Sequence, residues 1–351
     1  MSYFHLNLIL QGKLTVCCLL MLSVIPLNAQ REAKQIGDFK ESISLNEHLR
    51  GTKRTLQYRP DGDEFVCVNG KNRYTRALYG SHSPFRVETS DRPVFAFYNN
   101  GRGGNISFKV ILRDGTELAL DCTGHCESRY SAGKRTYYLT DPSWGKGELR
   151  ISVLALADMD GAIWRFSPSN MPKGAILRWQ HGGATGKRLS RNGDMGVDPA
   201  DCFELPAEAT DLVTGELALQ KEVYLVRGEV SEGYNVRKLY QQAEAASLVL
   251  ASHLKIETPD PYLNTLGGAL VAAADGIWDG QVWLHGAIGW RMPLSGWRAG
   301  YTGDALGWHD RARTHFDAYA ASQVTDVPNT IPHPAPVSYT HLRAHETKAN
   351  L

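Results

Sequence analysis

Between Ser295 and Phe316 the chain reads SGWRAGYTGDALGWHDRARTHF, and most side chains in that stretch can do chemistry. Asp304 and Asp310 are carboxylates that can carry a proton or attack as a nucleophile. His309 changes charge near neutral pH. Arg298 and Arg311 present guanidinium forks, and Trp297, Trp308 and Tyr301 present flat aromatic faces. Upstream, in LHGAIGWRMPL, Trp290 and Arg291 repeat the pairing of an indole with a guanidinium. Of the 8 tryptophans, Trp278, Trp283, Trp290, Trp297 and Trp308 all fall within 278–308. Indoles can stack on the apolar face of a pyranose while carboxylates and guanidiniums take its hydroxyls. A Trp-rich interdomain core is the competing reading, and both stand at the level of sequence.

Positioning these groups requires a helix, and the pattern predicts one from Asp304 to Ser322. Asp304 then has two readings: an N-cap that accepts backbone N–H bonds, or an acid at a site. On that helix Asp304, Trp308, Arg311 and His315 share one face, while Ala305, Ala312, Phe316 and Tyr319 form the core stripe on another. Asp310 and Asp317 share a third face, where solvation alone accounts for Asp317. For His309 and His285 a structural hydrogen bond competes with catalysis.

The chain has 351 residues, a length that suggests two domains. Hydrophobic residues make up 42% and charged residues 21%, an ordinary globular composition. A net charge of +1 gives no general electrostatic case for a nucleic-acid partner or an anionic membrane. At the N-terminus, Lys13 precedes the apolar run LTVCCLLMLSVIPL and then NAQ, which predicts a secretory signal peptide cleaved after Ala29. The run is short for a spanning helix and contains Pro26, so no membrane insertion is expected after cleavage, and the product is expected in the periplasm or outside the cell. Export makes disulfides possible among Cys67, Cys122, Cys126 and Cys202. Cys122 and Cys126, in DCTGHCESRY, could pair, remain free thiols, or bind a metal with His125; no second ligand cluster supports a metal. The tail VSYTHLRAHET reads as a translated sequencing-library adapter, so Val337–Leu351 is set aside and the natural sequence is expected to stop near Pro336.

Residues 30–53 read as a polar lead-in. From 54 to 230, short alternating runs are divided by Asp-Gly, Asn-Gly and Gly-Lys turns about ten residues apart, which predicts an antiparallel β sandwich. From 231 to 336 the spacing becomes helical. One helix is expected to about Leu254, a break at ETPDP with Pro259 and Pro261, and another helix from Tyr262 to about Trp278. NNGRGGN (Asn99–Asn105) reads as a hairpin turn, since it lacks the Lys-Ser/Thr ending of a phosphate loop; HGGATGK (His181–Lys187) fails the same test. Neither a G-x-S-x-G nor an H-E-x-x-H motif is present, and no cofactor or metal is expected.

RALYGSHSPFRVETSDRPVFAFYNNGRGGNISF (Arg76–Phe108) resembles the domain-of-unknown-function family numbered 4450, found in exported proteins of polysaccharide-degrading bacteria. LHGAIGWRMPLSGWRAGYTGDALGWHDRARTHFDAYAASQVT (Leu284–Thr325) is similar to the first part of a six-hairpin glycosidase-like toroid. The W-x-x-x-Y-x-G-D portion also resembles the tryptophan-glycine-aspartate loop of α-L-rhamnosidase-type toroids, with Asp304 in the place of the loop aspartate. The Glu-Arg element that carries the acid there is absent here, so the catalytic role does not come with the loop. In such toroids the loops at the wide end line the pocket.

These resemblances imply a multi-domain β + α protein, an antiparallel β sandwich followed by the truncated start of an (α/α)6 toroid. The implied activity is glycoside hydrolysis of a polysaccharide side chain. Asp304 and Asp310 are the expected catalytic carboxylates. Trp290, Arg291, Trp297, Arg298, Tyr301, Trp308, His309 and Arg311 are the expected contacts to an oligosaccharide or polysaccharide. Hydrolysis needs a second group across the scissile bond, expected beyond Pro336. A polysaccharide lyase is the first rival, using Tyr301, His309 and Arg311 on a uronate. A non-catalytic glycan-binding protein is the second.

Overall fold

A computed structural model describes residues 57–71, 74–99, 102–182, 212–230, 233–285, 292–293 and 297–321. The signal-peptide, lead-in and adapter readings, Cys202, Trp290 and Arg291 all lie outside the described residues.

Two antiparallel sheets precede the helices. The first sheet holds β1 (Arg59–Asp61), β2 (Glu64–Val68), β8 (His125–Ser131), β9 (Lys134–Thr140), β10 (Glu148–Ala155), β11 (Gly161–Ser169) and β14 (Val223–Gly228), in that order across the sheet. The second runs β13 (Val213–Ala218), β12 (Ile176–Gly182), β6 (Arg102–Ile111), β5 (Phe95–Asn99), β4 (Arg86–Ser90) and β3 (Tyr74–Leu78), with β7 (Glu117–Ala119) also paired to β6. Alternation puts Ile106, Phe108 and Val110 of β6 inside and Lys109 outside. The inward rows of the two sheets meet through aromatic rings: Phe95 lies 5.7 Å from Tyr137 and 5.6 Å from Trp164, and Phe108 lies 5.1 Å from Phe166. β5 and β6 pair with Asn99 opposite Arg102, which makes the glycine-rich stretch a hairpin connection.

Four helices follow among the described residues: α1 (Val236–Ala251), α2 (Pro261–Gly276), α3 (Trp297–Ala305) and α4 (His309–Ala321). None is long and apolar enough to cross a membrane. The Asn235 side chain caps α1 by accepting from Lys238 N. Leu239, Tyr240 and Ala243 of α1 pack on Leu154, Leu156 and Ile163 of the first sheet and its adjoining loop. Within the segment Ile256–Asn264 the Asn264 side chain accepts from Thr258 N and donates back to Thr258 O. Asp260 accepts from Tyr262 N ahead of Pro261, the first residue of α2. A short antiparallel pair, β15 (Leu284–His285) and β16 (Met292–Pro293), lies between α2 and α3.

The structure corrects two readings. The helix expected over Asp304–Ser322 begins only at His309; Asp304 and Ala305 end a separate helix, α3, and Gly307, at a left-handed φ of 77°, lies between the two. Gly307 N donates to Asp304 O and Trp308 N to Gly303 O, a double closure that only a left-handed residue permits at low cost. Asp304 therefore ends a helix and does not cap one. His315 does not share an exposed polar face with Asp304: it is fully buried, whereas Ala305 is exposed and Phe316 is partly so. Of the readings left open for Cys122 and Cys126, the structure shows free thiols, so the two do not pair. Cys122 is exposed, whereas Cys126 is buried in β8, where burial pushes its thiol up to about 12.

The loop after β3 has a tight steric requirement. A Cβ on Gly80 would lie 1.7 Å from the carbonyl oxygen of Leu156. Beyond Gly80, Ser81 donates to Asp160 Oδ1 at 2.6 Å, and Ser83 donates to the same oxygen. This clamp holds the Ser81–Ser83 turn, and with it His82. Gly80→Ala is expected to cost about 2 kcal/mol in urea unfolding, because the obstructing atom is backbone. A cost near zero would show that the loop can move aside.

Candidate functional site

The break between α3 and α4 is built from small residues and indoles. Gly303 leaves room for the Trp283 ring, which a Cβ there would meet at 2.0 Å; Gly300 does the same for Phe316, at 2.3 Å. Trp283 packs 4.5 Å from Trp278, and its Nε1 donates to Ala274 O at 3.0 Å. Buried His315 accepts from Trp283 N through Nδ1 at 3.2 Å, which fixes the proton of a neutral ring on Nε2. Trp308 stacks against Trp283 at 6.5 Å and against His253 at 5.3 Å. His253, just after α1, also meets the Leu306 carbonyl. Trp278 and Trp283 are thus core residues rather than an open platform, and Trp308 is half-buried among them.

Two polar centres sit on this frame. The first is open. Asp304, in the last turn of α3, lies 2.5 Å from Nδ1 of His309, the first residue of α4. Their side chains are 61% and 68% exposed. A carboxylate opposes the dipole at a helix C-terminus, and its imidazole partner offsets that placement. Because the carboxylate can only accept, Nδ1 carries the proton, and Nε2 is left to accept one. Tyr301, one turn before Asp304, is 62% exposed.

The second centre is half-buried. Asp275, near the end of α2, accepts at Oδ1 from Arg311 NH1 at 2.7 Å and from His82 Nε2 at 3.2 Å. Burial alone would raise this carboxyl. The His82 and Arg311 hydrogen bonds and charges outweigh it and hold the group below its ordinary value. The Arg311 guanidinium lies 4.6 Å over the Trp308 ring and 5.7 Å from Trp278. Sequence reasoning missed Asp275 and His82. The one local signal for Asp275 was its place beside Trp278 in ADGIWDG, and His82 carried none.

The expected site residues therefore divide. Asp304 and His309 pair at the surface, with exposed Tyr301 one turn earlier on α3 and its ring 6.5 Å from Phe316, while Arg311 and Trp308 belong to the half-buried centre. Asp310 is 98% exposed and pairs loosely with Arg313 at 3.9 Å. Trp297 and Arg298 are placed on α3 by their backbone. Among the described residues no group of three or more His, Cys, Asp or Glu is arranged to hold a metal ion.

Part of the sheet region is similar to a known family. Residues 100–236 match the family model described as Domain of unknown function (DUF4450), a span running from the β5–β6 turn to the start of α1. Only the end of the Arg76–Phe108 stretch falls within it. No curated protein matches the chain.

Proposed function

We propose that the chain is part of an exported carbohydrate-active protein whose helical segment serves glycoside hydrolysis of a polysaccharide side chain. The observation that carries this reading is the open Asp304–His309 pair beside Tyr301. A sugar ring resting on the Tyr301 phenol would present hydroxyls to the carboxylate and a proton-transfer partner to the imidazole. The helices suit the start of an (α/α)6 toroid. Leu248 and Val249 of α1 and Leu270 of α2 are 61%, 73% and 50% exposed, as expected of faces meant to meet further helices.

Arg311 is occupied by Asp275, which removes the cation that a lyase would set against a uronate. Glycan binding without hydrolysis is the second reading. It is favoured by Asp310, which is almost wholly exposed and has Arg313 as its ion-pair partner, so it supplies no evident second carboxylate.

The test measures turnover and binding of neutral oligosaccharides by a parent protein that carries all six hairpins of the toroid, since hydrolysis needs the second group. If Asp304 transfers a proton, Asp304→Asn is expected to lower kcat at least about a hundredfold while leaving the fold intact. Binding without turnover, weakened by Asp304→Asn, supports the second reading. Absence of both activities in the unmodified protein sinks the proposal.

A further inference from the structure

Near the ends of β12 and β14, an arginine faces inward with no acid among the described residues to meet it. Arg227 is on the same side of β14 as buried Leu225. Its Nε donates to Nδ1 of His181 at 2.9 Å, and its guanidinium lies 5.0 Å from the centre of the Trp179 ring. Trp179 and His181 are alternate residues of β12, so both project toward Arg227 from the facing sheet. Trp179 is itself locked, since a Cβ on Gly215 of β13 would fall 2.6 Å from its indole.

Two features give this arrangement a purpose. His181 accepts from an arginine, so its Nδ1 carries no proton and the imidazole is neutral. The cluster therefore holds a single positive charge. Furthermore, Arg227 makes no ion pair with any described carboxylate, and its two terminal nitrogens hydrogen-bond to no described residue. Elsewhere on β12, Arg178 shows the usual pattern: it is exposed and paired with Glu117 and Glu216. A guanidinium fixed at Nε and supported on an indole, with its terminal N–H groups unused, is preorganised for a planar oxyanion.

We propose that Arg227, held by His181 and Trp179, forms a binding site for a carboxylate-bearing ligand such as a uronate. The single charge and planar fork match a monoanionic carboxylate better than a dianion such as sulfate. The site stands apart from the Asp304–His309 pair and does not depend on its reading. Its test reads binding only, so the two proposals fail separately.

The experiment titrates the full chain at low salt with sodium glucuronate, sodium sulfate and glucose, following His181 imidazole and Arg227 Nε resonances. Glucuronate is expected to bind saturably and shift both sets of signals, sulfate to bind more weakly, and glucose to leave them unchanged. Arg227→Met and Arg227→Lys should each weaken glucuronate binding at least about tenfold, the lysine because it keeps the charge but loses the fork. Arg178→Met should have no effect. The proposal is overturned if the unmodified chain shows no saturable shift. It is equally overturned if sulfate binds as tightly as glucuronate, or if Arg227→Lys binds like the unmodified chain. Should Arg227→Met fail to fold, the lysine variant and the three-ligand comparison still decide.

Discussion

Replacing Asp275 by alanine is expected to cost about 3 kcal/mol of stability, the largest effect of any single side chain around the helical site. The carboxylate joins three distant parts of the chain: the loop after β3 through His82, the end of α2 on which it sits, and α4 through Arg311. Its side chain is 15% exposed, so solvent screens the pair only in part. Removing it leaves a guanidinium between Trp308 and Trp278 with its counter-charge gone. Asp275→Asn should cost less, about 1 kcal/mol, since an amide oxygen can still accept from Arg311. The diagnostic measurement is the double variant. With Asp275→Ala in place, adding Arg311→Met should cost little more, because the shared interaction is already lost. Additive costs in urea unfolding would mean that Asp275 and Arg311 act separately. A loss below about 0.5 kcal/mol for Asp275→Ala would reduce the triad to a surface ion pair.

That triad also marks the limit of what the sequence discloses. The strands were legible because burial alternates along them, as Ile106, Phe108 and Val110 show against Lys109. The helix break at Pro259 and Pro261 was legible because proline restricts its own φ and its neighbour's. The break at Gly307 carried an equally local signal, a glycine followed by tryptophan after a helical run, which is the signature of a left-handed helix stop. Reading through it assigned the last two residues of α3 to α4 and put Asp304 at the wrong end of a helix. His315 was misplaced for a related reason. Its face was reckoned from Asp304, which lies on a different helix, and a buried histidine leaves no trace in the pattern when it accepts from a backbone N–H, that of Trp283. His82 and Asp275 lie 193 residues apart, and Arg227 and His181 lie 46 apart. Periodicity reports which face a residue takes, not what it meets across the core, so neither pairing could be read from the sequence.

The His181–Arg227 pair carries the second large effect, and it is one of pH. Burial first, and then the positive charge of Arg227, pull the His181 imidazole down from 6.5 to about 4. In the unfolded chain the ring binds a proton as pH falls through 6.5, whereas in the folded protein it resists until about 4. Over that interval the unfolded state holds more protons, so stability falls as the solution is acidified. The contribution is intact above pH 6.5 and is lost progressively down to about 4, where the loss reaches about 3 kcal/mol. Protonating His181 would also remove the lone pair that accepts from Arg227 Nε and set two cations against each other. His181→Gln keeps an acceptor within reach of Arg227 and cannot titrate in this range. Unfolding free energies for both proteins, measured across pH 4 to 7, should therefore diverge on acidification, the unmodified chain losing about 3 kcal/mol more than the glutamine variant. Carboxylates such as Asp275 lose their own stabilisation at lower pH in both proteins and cancel from the difference. Parallel curves would mean that His181 takes up its proton at the same pH in the folded and the unfolded chain. Burial and Arg227 would then not hold the imidazole neutral on acidification, and the closeness of His181 to Arg227 would be in doubt.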